Sequence, residues 1–345
     1  MTGESVIGWD VGGAHLKAAR IGARGKVEAV VQLACPLWQG MGHLHTAMDT
    51  ALAQLGSAHI HAVTMTGEMV DLFPDRTDGV AQLVAAMQGR APDAELLFYA
   101  GAAGFLPADC AALHAADIAS ANWLASATCV AARIPDALFL DIGSTTTDLI
   151  PIVAATVAAQ GRNDYERLVS GELLYTGVCR TPLMALAPAV PFEGAEVPMM
   201  AEHFATSADI YRLTEQLPDG ADLHPAADGG EKTIAGSARR LARMIGRDAG
   251  SAEFKEWRQL AGWLADVQRG AIADACIRLC AQHQPREGGT IVGAGVGRFI
   301  AGDIALRLGW SYLDFADLIP HDAGISGRIS DCAPAVAVAW QLRQT

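Results

Sequence analysis

The sequence predicts an α/β protein built from two similar domains that face each other across a cleft. Three observations carry this. The 345 residues amount to two domains at roughly 150 residues each. Short apolar runs bounded by glycine alternate with stretches of helical spacing along the whole chain. One pattern also occurs twice, at 6–21 and at 137–153: an apolar strand, Asp, one residue, Gly, a small polar turn and a second strand. The two copies lie about 130 residues apart, as an internal duplication requires.

Each element has its own reason. Residues 5–9 are a short apolar strand, Gly12-Gly13 turns the chain, and strands follow at 15–21 and 26–33. Glycine suits such hairpins because it tolerates positive φ. Helical spacing marks 42–55, 77–87 and 118–133, the last ended by Pro135. Strands read at 62–65 and 95–99, and the second copy supplies 137–142 and 145–153. The middle is less regular, with a helix near 199–217 and a Gly/Asp/Pro-rich loop, PDGADLHPAADGG. Helices at 233–245 and 252–282, a strand at 290–292 opening into GAGVG, and helices at 298–308 and 323–341 close the chain. The domains are expected at 1–134 and 135–345, with a helical insertion at about 195–285 and a C-terminal helix, 333–344, packing on the first.

Composition narrows the function. Charged residues are 18% and hydrophobic ones 51%, which excludes intrinsic disorder. No run reaches the roughly 18 apolar residues of a spanning helix, and MTGESVIGWD has acids where a signal peptide needs bases. A net charge of −13 argues against nucleic acid as a partner. Phosphorylated small molecules remain open, because backbone amides and a metal bind them without net positive charge. Seven cysteines without a CxxC suggest reduced, buried thiols in the cytoplasm. Cys276, Cys280 and His283 read as an amphipathic helix rather than a metal site, and His43/His45 and His59/His61 as ordinary histidines. Trp38, Trp123, Trp257, Trp263 and Trp310 read as core.

Three glycine turns carry chemistry. Asp10-Val-Gly-Gly-Ala-His-Leu-Lys17 combines exposed amides with a strand-end carboxylate able to hold a metal through water. Asp141-Ile-Gly-Ser-Thr-Thr-Thr-Asp148 adds hydroxyl donors. In Gly293-Ala-Gly-Val-Gly297 a strand meets a helix N-terminus and can approach a phosphate or a flat base closely. His15 and Lys17 share one face of their strand, so Lys17 could face the anion.

The order of these motifs resembles the actin, sugar-kinase and heat-shock-protein superfamily, whose two ribonuclease-H-like domains form the actin-like ATPase fold with an interdomain cleft. The resemblance implies that Asp10 and Asp141 position Mg²⁺. It also implies that Gly12, Gly13, His15, Gly143, Ser144 and Thr145 hold phosphates, with Gly293, Gly295 and Gly297 nearby. More narrowly, the chain is similar to the hydantoinase/oxoprolinase-like group and its tetrahydromethanopterin-linked C1-transfer proteins. DVGGAHLKAA (10–19), VTMTGEMVDLFPDRTDGV (63–80), ASANWLASA (119–127), LDIGSTTTDLIPI (140–152), SGELLYTGVCRTPL (170–183) and ADGGEKTIAGSARRLARMIGRD (227–248) carry that similarity.

The resemblance implies a transferase of methanofuran or methylofuran synthesis. Such an enzyme joins an aminomethylfuran-methyl diphosphate to the phenol of a γ-glutamyl-tyramine and releases diphosphate. A furylmethyl carbon stabilises positive charge, so the step to assist is departure of the leaving group, which metal and N–H donors neutralise. Lys17 would join Asp10 and Asp141 in that step. Two departures weaken an ATP-hydrolysing reading. Ala14 replaces the usual hydroxyl residue, and Asn122 stands where some relatives carry an acid or Gln; an amide is no general base. Asn122 either orients substrate or caps a turn. Glu68 and Asp71 are candidates for the substrate's ammonium group, and Arg180 with Thr181 for the glutamyl carboxylate. Two of Arg239, Arg240 and Arg243 read as surface pairs. The alternatives are an ATP-dependent kinase or hydantoinase-type hydrolase, and a nucleotide-sensing regulator. The expected partners are small-molecule substrates and a second copy of the chain, with no membrane.

Overall fold

In the first sheet, strands β1 (Val6–Val11), β2 (His15–Ile21) and β3 (Val27–Ala34) form an antiparallel meander. Strands β4 (Ile60–Met65) and β5 (Glu95–Tyr99) follow in parallel with β1, and β6 (Phe105–Pro107) turns back along β5. The order is β3-β2-β1-β4-β5-β6. Parallel neighbours need crossovers, and helices α1 (Met41–Leu55) and α2 (Arg76–Arg90) supply them. The computed structural model describes residues 4–283 and 289–344.

Strand alternation decides what this sheet buries. Ile7, Trp9, Val11, Leu16, Ala18, Val63 and Met65 join Leu44, Met48, Leu83 and Met87 of α1 and α2 in one apolar core. The opposite face therefore receives Gly8, Asp10, Lys17 and Thr64. Helices α3 (Ala115–Ile118) and α4 (Asn122–Ala131) replace the single helix expected at 118–133. Ser120 breaks it with φ 52°, and its hydroxyl donates to Glu68 Oε1 at 2.8 Å.

In the second half, β7 (Ala137–Ile142), β8 (Thr147–Val153) and β9 (Thr156–Val157) precede α5 (Asp164–Ser170) and β10 (Leu173–Leu174). A separate hairpin, β11 (Ala189–Phe192) and β12 (Ala195–Pro198), leads to α6 (Ser207–Leu213), α7 (Ile234–Arg243) and α8 (Phe254–His283). Strand β13 (Thr290–Ala294), α9 (Arg298–Leu308), β14 (Ser311–Asp314), α10 (Ser326–Asp331) and α11 (Ala333–Gln344) complete the chain. The second sheet runs β10-β8-β7-β13-β14, with β9 on β8. Each of these two sheets thus has six strands.

Two helices are corrected. The helix expected at 199–217 forms only over α6, because a Thr206–Asp209 capping box starts it late. The helix expected at 323–341 is two, α10 and α11. Pro334 has no N–H to give to a continuing helix and sits instead in the first turn of a new one.

By packing density the chain divides into two units. One is Met1–Phe139 with Ile152–Ala159 and Leu313–Thr345, and the other is Leu140–Pro151 with Gln160–Tyr312. Within the first, the alanine-rich α11 lies on β1, β2, β4 and α4, and Gln341 Nε2 donates to Ala125 O at 2.7 Å.

All seven cysteines are free, and five are buried. Of the tryptophans expected in the core, Trp123 and Trp257 are buried, Trp263 and Trp310 half-buried, and Trp38 is 39% exposed. Arg240 is no surface pair. It is wholly buried, with Nε donating to Asp209 Oδ1 at 2.9 Å and Nη1 to Asp228 at 3.1 Å. His283's side chain falls outside the described residues. Among the described residues no three metal-type side chains cluster, and no helix is long and apolar enough to cross a membrane.

His61 is buried against Trp9, their ring centroids 5.8 Å apart. Burial pulls its pKa down to about 4, opposed by the Ala58 carbonyl. Unfolded, the residue takes up a proton near pH 6.5. Between these values the unfolded state binds the more protons, so stability falls as the pH drops through that window. Urea unfolding at pH 7 and pH 5 should show the wild type losing about 2 kcal/mol more than His61→Gln. Equal losses would mean that His61 carries none of the acid sensitivity.

Candidate active site

The two copies of the strand–turn–strand pattern close in the same way. Gly12 N donates to His15 O at 3.0 Å, and Gly143 N donates to Thr146 O at 2.8 Å. Asp10 and Asp141 are each the second-last residue of their strands. One offset separates Asp10 from Asp141, Gly12 from Gly143 and His15 from Thr146. The glycines answer a different need from the one expected. Gly12 and Gly13 are absent from the positive-φ residues. What they provide is space, since a Cβ on Gly13 would stand 2.7 Å from Val70 Cγ1 and one on Gly12 would stand 2.8 Å from His15 O.

Around the first hairpin, Asp10 and Lys17 are cross-strand partners, with Nζ 4.0 Å from Oδ2. Both are sheltered, their side chains 6% and 17% exposed. Asn122, the first residue of α4, donates from Nδ2 to Asp10 Oδ1 at 3.5 Å and accepts from Trp123 N at 2.7 Å. Asn122 thus touches the strand-end carboxylate and accepts from the next backbone N–H in the first turn of the helix. Thr64 lies beside Asp10 on β4 and is fully buried. His15 is buried on the same side as Lys17.

Glu68 and Asp71 do not act together. Glu68 is 1% exposed and accepts from Ser120, so it presents no open carboxylate to an ammonium group. Asp71 is exposed.

Around the second hairpin, three segments meet. The turn after β10 folds back on it: Val178 N donates to Gly143 O, and Cys179 N and Arg180 N both donate to Ser144 O, at 3.0, 3.1 and 2.9 Å. Gly177 is required there, because its Cβ would lie 2.5 Å from Thr145 N. The Gly293–Gly297 loop arrives from β13, with Gly297 N donating to Ile142 O at 2.7 Å. Gly295 has φ +79°, and a Cβ on it would stand 2.2 Å from Ile142 O and 2.5 Å from Asp141 Oδ1.

Arg180 and Thr181 also separate. Thr181 Oγ1 accepts from Gly177 N at 2.8 Å and donates to Gly177 O at 3.1 Å. Its hydroxyl closes a turn and is not offered to a substrate. Arg180 reaches the hairpin instead, Nη1 donating to Thr145 Oγ1 at 3.4 Å. Burial pulls its pKa down, and Tyr175 and Cys179 offset this only in part. A sheltered guanidinium at this turn can pair with a phosphate or with a carboxylate. The duplication is not symmetric in charge. Lys17's counterpart in the second copy is Asp148, which pairs with buried Arg167 at 2.8 Å.

Sequence reasoning missed the support beneath this hairpin. Gln268 on α8 donates to Thr176 Oγ1 at 2.6 Å and Gly177 O at 2.9 Å, and accepts from Tyr211 at 2.7 Å. Nothing in the local pattern of a long helix marks that glutamine. Gln268→Leu leaves Tyr211 and the turn without these bonds, at about 1–3 kcal/mol for each orphaned group. The variant should unfold several degrees lower and turn over severalfold more slowly. An unchanged Tm would show that the turn holds itself.

The sheet order and the paired hairpins define a protein of the ribonuclease-H-like, actin-type ATPase fold, with a glycine-bearing turn at the head of each sheet. The chain belongs to the hydantoinase/oxoprolinase family, whose model matches residues 59–339. It is 29% identical over 244 residues to the (4-{4-[2-(gamma-L-glutamylamino)ethyl]phenoxymethyl}furan-2-yl)methanamine synthase of Methanocaldococcus jannaschii, covering 70% of this chain and 72% of that protein. To the enzyme of the same name from Methanococcus vannielii it is 34% identical over 111 residues, 32% of this chain and 50% of that protein. Among solved structures, nucleotide-free acetone carboxylase shares the fold at 8% identity, with a TM-score of 0.58 over 98% of this chain and 70% of that one.

Proposed function

We propose that this chain is an aryl-ether-forming transferase. It couples an aminomethylfuran-methyl diphosphate to the phenol of γ-glutamyl-tyramine and releases diphosphate. The likeness to the Methanocaldococcus jannaschii synthase over 70% of the chain carries this reading. The local chemistry supports it. In the first unit Lys17 beside its hairpin suits an anionic group, and in the second unit Arg180 beside its own does so too. Asn122 beside Asp10 offers no base to activate water for ATP hydrolysis.

Each hairpin carries a strand-end carboxylate, Asp10 in the first unit and Asp141 in the second, and Mg²⁺ is typically held by one or two carboxylates together with substrate phosphates and waters. Either carboxylate suits the ion, which when bound would neutralise charge on the departing diphosphate. Asp10→Asn and Asp141→Asn should each lower turnover at least about tenfold, and should shift the Mg²⁺ concentration for half-maximal diphosphate binding upward. Full activity of Asp10→Asn would remove this carboxylate from the reaction.

The direct test incubates the full chain with the furylmethyl diphosphate, γ-glutamyl-tyramine and Mg²⁺. Ether product is followed by mass spectrometry and diphosphate by colorimetry. Equimolar ether and diphosphate are expected. ATP turnover with no ether formed would overturn the reading in favour of the kinase or hydrolase alternative.

A further inference from the structure

A cavity of about 520 Å³ opens in the second unit, walled by Arg212 of α6, the 215–222 loop, and Lys232 to Ile234 at the start of α7. Its size falls within the range of small-ligand sites. Its charges are of both signs: Arg212 and Lys232 face Glu215, Asp219 and Asp222. Arg212 Nη2 donates to Asp222 Oδ2 at 2.6 Å. Lys232 Nζ donates to Asp222 O at 2.8 Å and lies 3.6 Å from its Oδ1. A simple anion would meet three carboxylates there, and a simple cation would meet two bases. A group carrying both charges close together meets a partner for each.

The wall of this cavity touches the second hairpin through one residue. Cys179 Sγ donates to Ala221 O at 3.4 Å, next to Asp222, while Cys179 N donates to Ser144 O. The segment that brings Lys232 is fixed from below by buried Arg240, bonded to Asp209, Asp228 and Glu231 O. This accounts for the 227–248 motif, which the diphosphate chemistry leaves unused.

We infer that this cavity seats the free α-amino-acid end of the acceptor, a zwitterion, with Lys232 and Arg212 toward its carboxylate and Asp222 and Asp219 toward its ammonium, since Glu215 is paired with Arg258 at 2.7 Å. The inference rests on the transferase reading. A γ-linked glutamyl amide leaves both α-groups free, so the acceptor carries the zwitterion that these walls match. The glutamyl carboxylate goes to Lys232 and Arg212, and Arg180 is left to the diphosphate. Lys232 is then a specificity residue, acting on acceptor choice rather than on bond formation.

Calorimetry on the full chain tests this with two probes, γ-glutamyl-tyramine and tyramine. The wild type should bind the first at least about tenfold more tightly, the scale of one charge-assisted contact. Lys232→Met and Lys232→Glu should abolish that preference and leave tyramine binding unchanged. Lys232 is a third exposed, so neither variant should fail to fold, and thermal unfolding checks this. A preference retained in both variants, or absent from the wild type, overturns the inference. Ether formation with an unaltered preference in the variants would sink the cavity assignment alone. Selective binding without ether formation would sink the transferase reading alone.

Discussion

Gly295→Ala is expected to cost more than about 2 kcal/mol of stability and to reduce activity by well over a hundredfold. Two independent strains meet at this residue. Its φ of +79° is a conformation that a Cβ disfavours. The Cβ itself would stand 2.2 Å from Ile142 O and 2.5 Å from Asp141 Oδ1. Neither neighbour can yield cheaply. Ile142 O already accepts from Gly297 N, and Asp141 is the strand-end carboxylate next to the hairpin. Relief therefore comes only by moving the loop away from Asp141 or by turning the carboxylate aside. Thermal unfolding and turnover should fall together. A variant with wild-type Tm and wild-type turnover would show that the loop has room the geometry denies. Gly302→Ala, at an open position on α9 where an added Cβ meets nothing within 4 Å, serves as the control and should be silent or slightly stabilising.

Lys17→Met is expected to lower kcat by roughly tenfold to a hundredfold, with diphosphate inhibition weakened in parallel. Under the transferase reading the lysine would meet the departing anion beside the strand-end carboxylate of the first hairpin. It faces Asp10 across β1 and β2, at 4.0 Å and largely sheltered, and shelter strengthens a charge-assisted contact. One such contact is worth about 1.5–3 kcal/mol. Lys17→Arg should restore little, because a planar fork does not replace a compact ammonium in a narrow hairpin. Parallel loss of kcat and of diphosphate affinity marks direct contact with the leaving group. A change in Tm alone, with both kinetic quantities kept, would make Lys17 a structural partner of Asp10 and leave the anion to backbone amides.

The hairpins were legible because their signal is local. Asp, Gly and a small turn at fixed spacing specify a strand end and a tight reversal wherever they occur, and the second copy doubled the evidence. Lys17's side of β2 was legible for the same reason, since strand alternation follows from chain geometry alone. What occupies Glu68 and Thr181 was not legible: the first is covered by a distant segment, and the second is taken up by an irregular turn four residues back. Ser120, 52 residues further on, closes over Glu68, and the Gly177 turn claims the Thr181 hydroxyl. The break at Ser120 was hidden because an alanine-rich stretch has high helix propensity, and tertiary contacts such as the bond to Glu68 oppose it.

By itself, then, the sequence determined the two-fold α/β plan, the three glycine loops, the strand-end carboxylates, and the family through its ordered motifs. The tertiary structure decided which polar groups are spent on the fold and which are presented for chemistry. It seated Asn122 on Asp10, turned Arg180 toward Thr145, propped the Gly177 turn on Gln268, and joined Arg212 and Lys232 across Asp222. The physical reason is range. Dihedral preference, alternation and turn chemistry act over a few residues and can be read in order. Desolvation and charge pairing depend on whatever the folded chain brings within a few ångströms, and residues as far apart as Thr176 and Gln268 meet only there.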